Sequence, residues 1–60
     1  MLPQDPIILL SYVNTQLRDN YSSLDKLAEG LDMSEEEVKE MVGKLEGVGY
    51  KYDEEVNQFK

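Results

Sequence analysis

Residues 22–49 have the sequence SSLDKLAEGLDMSEEEVKEMVGKLEGVG. In the first half of this stretch, apolar residues recur at intervals of three and four, which is the spacing of one helix face. These residues are Leu24, Leu27, Ala28 and Leu31. The spacing predicts a helix over about residues 23–31. Before it, Ser22 and Asp25 resemble a capping box in which Asp replaces the preferred Glu.

A second helix is predicted after a turn at residues 32–33. Ser34 and Glu37 match the capping-box pattern in full, so the helix should run from Glu35 to about Glu46. Its apolar stripe again has helical spacing and comprises Val38, Met41, Val42 and Leu45. Two glycines shortly after position 46 supply the C-terminal stop.

The residues that follow predict a short β-hairpin. Tyrosine and phenylalanine favour strands, which are expected over residues 50–52 and 58–60. Asn57 tolerates the left-handed backbone conformation that closes such a turn. Because two short strands are weak alone, the hairpin has to pack on the helices. Its expected anchor is Phe59 with a tyrosine of the first strand.

Another helix is predicted upstream, where Asp5 and Pro6 have the character of an N-cap and a first helical residue. This helix should end near Asp19. Its apolar stripe comprises Ile7, Leu9, Leu10, Val13 and Leu17. The expected common core of the three helices is Leu10, Leu17, Leu27, Leu31, Val38, Val42 and Leu45.

The pattern predicts one small domain over residues 1–60. The expected fold class is mainly α (α+β): a three-helix helix-turn-helix core with a small C-terminal β-hairpin, which is winged-helix-like. A chain this short buries only about 60% of the surface that it exposes when unfolded. Because it has no cysteine to form a disulfide, its stability depends on packing or on a partner.

The charge distribution opposes the usual function of a helix-turn-helix. The helix that would enter the major groove begins with Glu35, Glu36 and Glu37, and the net charge of the chain is −7. Affinity for DNA comes largely from neutralised phosphates. Nucleic acid is therefore not the expected partner. The alternative is a DNA-binding or transcription-associated protein that uses the first helix or the hairpin.

Composition also restricts the chemistry. The chain has no Cys and no His, which excludes disulfides, Cys/His zinc sites, thiol nucleophiles and imidazole catalysis. The acids of the third helix complement its dipole, and Glu35–Lys39 and Glu40–Lys44 have the spacing of surface ion pairs. We therefore expect no catalytic site, no cofactor and no metal ion, and no enzyme activity.

No targeting or membrane-spanning segment is predicted. The apolar run over residues 7–10 is too short to cross a bilayer and has no basic residue before it. The expected location is the cytoplasm, and no contact with a membrane is expected.

Ile8 and Tyr12 form the candidate interaction patch. They lie one helical turn apart and outside the main stripe of the first helix. One alternative is that they cover the C-terminal hairpin within the same chain. The other is that they face a protein partner or a second copy. We expect a non-catalytic protein-interaction module, with self-association as one form of that function.

Several segments together resemble a known family. They are MLPQDP at residues 1–6, LS at 10–11, VN at 13–14, LRD at 17–19, YSSLD at 21–25, GY-x-YD at 49–53 and NQF at 57–59. The combination resembles a family of very short bacterial proteins known as a domain of unknown function, numbered in the four-thousands. The resemblance covers nearly the whole chain. It implies a bacterial, cytoplasmic, stand-alone domain, and no activity, ligand or catalytic residue.

Two residues within these segments have structural interpretations. The amide of Asn14 lies at the edge of the core stripe, where it would bond a loop backbone. Arg18 would pair with Asp25 or with the C-terminus of a helix.

Overall fold

The computed structural model describes residues 3–60, which form three helices followed by a two-stranded antiparallel sheet. The helices are α1 (Pro6–Asp19), α2 (Leu24–Gly30) and α3 (Glu35–Gly47), and the strands are β1 (Tyr52–Asp53) and β2 (Gln58–Phe59). The predicted fold class, mainly α with a small C-terminal hairpin, is confirmed. α1 has the predicted bounds, and the ends of α2 and α3 lie within one residue of the prediction.

Side-chain caps begin all three helices. The carboxylate of Asp5 accepts hydrogen bonds from the amides of the second and third residues of α1, at 2.9 and 3.3 Å. The predicted capping box of Ser34 and Glu37 is present in both directions. The box predicted for Ser22 is wrong, because Ser23 has the extended backbone of a cap and accepts from the amide of Lys26 at 3.2 Å.

Each connection after α2 contains one residue with a left-handed backbone. These residues are Asp32 with φ 55°, Gly49 with φ 94° and Asn57 with φ 53°. This conformation is open to glycine and is tolerated by Asn and Asp, whose short polar side chains bond locally. The prediction for Asn57 is confirmed, and Asp32 reverses the chain between α2 and α3 in the same manner.

The core draws residues from all three helices and from β2. Its buried members are Leu9, Val13, Leu17, Leu27, Met41, Leu45 and Phe59. The predicted burial of Leu17, Leu27 and Leu45 is confirmed. The other four expected members are only half-buried, namely Leu10, Leu31, Val38 and Val42.

One member of the predicted stripe of α1 is on the surface. Ile7 is 58% exposed, whereas Val13 is fully buried. The buried stripe is centred on Val13, and Ile7 lies roughly 120° away from it around the helix at ~100° per residue. Ile7 is therefore at the margin of the stripe and in the first turn, where little chain packs beside it.

The hairpin joins the core through its aromatic residues. Tyr52 is paired with Phe59 across the two strands, and their ring centroids lie 5.4 Å apart with a tilt of 52°. Phe59 is 1% exposed and packs among the buried residues of the helices. The predicted aromatic anchor is thus confirmed, with Tyr52 as the tyrosine that pairs with Phe59.

Candidate functional site

The candidate interaction residues lie on one side of α1. The residues of this side form a shallow depression, which we call the outer face of α1: Pro3, Ile7, Ile8, Ser11, Tyr12 and Thr15. Ile7 and Ile8 are 58% and 59% exposed. Tyr12 is half-buried and packs against the core. Tyr12 therefore connects the core with the exposed isoleucines.

The hairpin is attached to α1 beside the outer face: Ser11 and Thr15 also line a second depression, together with residues 56–58 of the hairpin. The side chain of Asn14 bonds the main chain of Phe59, and the side chain of Asn57 bonds the carbonyl oxygen of Leu17. Ile8 is left uncovered by residues 3–60, so it does not pack under the hairpin. That a partner binds Ile8 and Tyr12 stays a prediction.

Ile7 was not predicted to belong to this surface, because its angular position around the helix also fits the edge of the core stripe. The signal that identifies the surface is the distribution of charge along the chain. Residues 6–17 contain no charged side chain, and all six basic and 13 acidic residues lie elsewhere. The outer face of α1 is thus an uncharged strip in a strongly acidic protein.

Charged residues lie only at the two ends of this strip. Asp5 caps its N-terminal end. At the other end, the guanidinium of Arg18 donates two hydrogen bonds to Asp19, at 2.9 and 3.0 Å. The expected pairing of Arg18 with Asp25 is wrong, because the carboxylate of Asp19 is within reach, and Arg18 lies in the last turn of α1, near a helix C-terminus.

The Arg18–Asp19 contact shifts the pKa of both groups. The hydrogen bond lowers the pKa of the Asp19 carboxyl below its ordinary value and raises the pKa of the Arg18 guanidinium. The Arg18 side chain is 74% exposed, so water screens the pair and it stabilises the fold little.

A polar network behind the hairpin was not predicted. The hydroxyl of Tyr52 donates to Asn57 Oδ1 at 2.6 Å and accepts from the amide of Leu24 at 3.3 Å. Asn57 Nδ2 donates to the carbonyl oxygens of Leu17 and Tyr21, both at 3.0 Å. These bonds join α1, the loop after it, α2 and both parts of the hairpin. The network therefore holds the fold together.

The N-terminal part of α3 is acidic and exposed. Glu35, Glu36 and Glu37 are all on the surface, and the carboxylate of Glu37 accepts from the amide of Ser34 at 3.1 Å. This is the part of a second helix that would approach DNA in a helix-turn-helix. Lys39 is exposed one turn further on, but three carboxylates precede it.

The expected i,i+4 ion pairs of α3 are absent from the described chain. Neither Glu35 with Lys39 nor Glu40 with Lys44 lies within ion-pair distance in residues 3–60. Lys44 Nζ instead donates to Gln4 Oε1 at 3.2 Å, which ties the segment before α1 to α3. Exposed pairs of this kind gain little energy against the entropy of two long side chains.

Within residues 3–60, no group of three or more His, Cys, Asp or Glu side chains is arranged to hold a metal ion. None of the helices in this part of the chain has both the length and the apolar character needed to cross a membrane.

The family comparison agrees with the resemblance seen in the sequence. The model of a family described as a domain of unknown function, DUF4250, matches residues 3–59. No curated protein and no solved structure matches the chain.

Proposed function

The chain belongs to the DUF4250 family of domains of unknown function, and we propose that it is a non-catalytic protein-interaction module. Its docking surface is the outer face of α1. The observation that carries this proposal is the exposure of Ile7 and Ile8, side by side, on a helix without charged side chains between its two ends.

Burying apolar surface is favourable by about 25 cal/mol per Å². Contiguous exposed apolar patches with a polar rim are typical of interaction sites. The centres of protein interfaces are also depleted of charge and enriched in aromatic residues. The outer face of α1 fits this composition, with Tyr12 between the isoleucines and the core.

The alternative, a DNA-binding protein, has less support. The exposed start of α3 carries three carboxylates, and the chain has only six basic residues. Binding through α1 would present an uncharged surface to phosphates. We therefore place DNA binding second.

A photocrosslinking amino acid in place of Ile8 tests the docking surface in living host cells. A matched control carries the same amino acid in place of Val48, which is 43% exposed and does not line the outer face of α1. We expect protein adducts from position 8 that position 48 does not give. Identical adduct patterns from the two positions, or none from position 8, would remove the proposal.

A further inference from the structure

We infer that the occupant of the outer face of α1 is a second copy of the chain, which packs α1 against α1 in antiparallel orientation about a two-fold axis. This inference rests on the proposed function and names the partner. In an isologous interface of this kind, the same surface serves both copies and every contact occurs twice.

Charge favours the outer face of α1 as the meeting point of two copies. Each chain has a net charge of −7, so most ways of bringing two copies together oppose carboxylates. Residues 6–17 contain no charged side chain. A contact through this face therefore leaves the acids of both copies at the periphery, where salt screens them.

The order of residues along α1 suits a two-fold axis midway between Ser11 and Tyr12. In an antiparallel pair, positions equally distant from that midpoint face each other. Ile8 of one copy then lies opposite Thr15 of the other, so a large apolar side chain meets a small one. Both residues line the depression on the outer face, which leaves space for the isoleucine.

The ends of the strip are complementary under the same operation. Asp5 and Arg18 are equally distant from the midpoint, so the carboxylate of one copy lies at the same end as the guanidinium of the other. Arg18 uses two of its five N–H groups on Asp19, which leaves donors for a second carboxylate. Antiparallel helices also place opposite ends of their dipoles together.

The available area indicates a weak dimer. A standard interface buries about 800 Å² per partner, which is about a fifth of the 4259 Å² of accessible surface of this protein. The 14 residues of α1 extend over about 21 Å, and one face of such a helix offers about half of that area. Dissociation constants in the range of about 10 µM to 1 mM are therefore expected.

Sedimentation velocity of the parent chain tests the pairing. Between about 20 µM and 1 mM protein, the weight-average mass should rise from one copy towards two. The rise should be larger at about 0.5 M than at about 0.05 M NaCl, because salt screens the acidic surfaces. A parent that remains monomeric at the highest concentration and salt would overturn the inference.

Two variants locate the interface. Ile8→Glu should abolish the concentration dependence, whereas Val48→Glu, which adds the same charge at another exposed valine, should retain it. If both variants lose the concentration dependence equally, the effect is one of charge alone, and the inference is overturned. Circular dichroism of both variants establishes that they are folded.

A mixing experiment tests the register. Thr15→Lys alone should also be monomeric, because it places a cation opposite Ile8 of the other copy. When this variant is mixed with Ile8→Glu, the new acid and the new base lie opposite each other, and a one-to-one pair should form. A mixture that stays monomeric would overturn the antiparallel register.

The outcomes also separate this inference from the proposed function. Adducts from position 8 to other proteins, together with a monomeric parent, would retain the interaction module and remove self-pairing. A monomeric parent without adducts at position 8 would remove both.

Discussion

Asn14 bonds both main-chain polar groups of Phe59. Its Nδ2 donates to the carbonyl oxygen at 3.0 Å, and its Oδ1 accepts from the amide at 2.8 Å. Lys51 and Lys60 exchange two backbone hydrogen bonds, at 3.2 and 2.9 Å. By the alternation of antiparallel ladders, the polar groups of Phe59 point away from β1. The amide of Asn14 thus takes the place of a third strand at the outer edge of β2.

Asn14→Asp should destabilise the protein at neutral pH by about 1–3 kcal/mol, because the variant loses the donor and leaves the carbonyl oxygen of Phe59 unpaired. Urea denaturation of the parent and the variant measures the difference. Gln58→Ala, at an exposed neighbour in β2, is the control and should change stability by less than about 0.5 kcal/mol. Equal effects would contradict the role of Asn14.

The hydroxyl of Tyr52 gives a second test of the attachment of the hairpin. Tyr52→Phe removes the bond to Asn57 and the bond from the amide of Leu24, so we expect a loss of about 1–2 kcal/mol. Tyr50→Phe is the matched control at another half-buried tyrosine and should be close to neutral. Thermal unfolding, monitored by circular dichroism, measures the stability of both variants. A larger loss in Tyr50→Phe than in Tyr52→Phe would refute the network.

Replacing each of two helical glycines by alanine should change the stability of the protein in opposite directions. A Cβ at Gly30 would overlap the phenol ring of Tyr21, whereas a Cβ at Gly43 would meet no atom within 4 Å. Gly43→Ala should stabilise the protein by about 0.5–1 kcal/mol through helix propensity. Gly30→Ala should instead cost about 1–2 kcal/mol, because the ring has to move. Stabilisation by both variants, measured in denaturant, would show that Tyr21 is not packed on α2.

Substitution by alanine should cost much more stability at a core residue than at a surface residue of similar size. Leu27→Ala or Leu45→Ala removes a fully buried side chain and should cost about 2–5 kcal/mol, enough to unfold much of so small a domain. Ile8→Ala, at a 59% exposed position, should leave the midpoint of thermal unfolding almost unchanged. A Leu27→Ala protein that melts within a degree or two of the parent would contradict the packing.

DNA binding is expected to be weak and to disappear as salt is raised. The net charge of −7 and the exposed carboxylates of Glu35, Glu36 and Glu37 repel phosphates, and the chain has only six basic side chains to neutralise them. Fluorescence anisotropy with a labelled duplex at physiological salt measures the affinity. A sub-micromolar dissociation constant would favour the alternative function over the interaction module.

The sequence predicts the helices well because their ends are encoded locally. The caps at Asp5 and Ser34 and the left-handed Asn57 depend on residues within a few positions of each other. Ser22 and Ser23 are the exception, since two adjacent serines are equally good candidates for one cap. The structure selects Ser23, whose backbone is extended and whose hydroxyl accepts from the amide of Lys26.

Contacts between distant residues could not be predicted in this way. The amide of Asn14 bonds a backbone as predicted, but that of Phe59 in β2 and not of a loop, and nothing in either neighbourhood specifies a partner 45 positions away. The exposure of Ile7 depends on which side of α1 receives α3 and β2, so the wheel alone leaves it ambiguous. The outer face of α1 could be found from sequence only in part, through Ile8 and Tyr12 and the lack of charge nearby.

The bond between Asn14 and Phe59 also has a consequence for how the chain acquires its fold on the ribosome. α1 is synthesised first, yet the strand that its amide binds, and the aromatic ring that completes the core around it, are synthesised after all three helices. Local helices can form early, but closure of so long a loop has to wait for its second end. The nascent chain therefore carries an unfinished apolar stripe until β2 has been synthesised, and the core is complete only when Phe59 joins it.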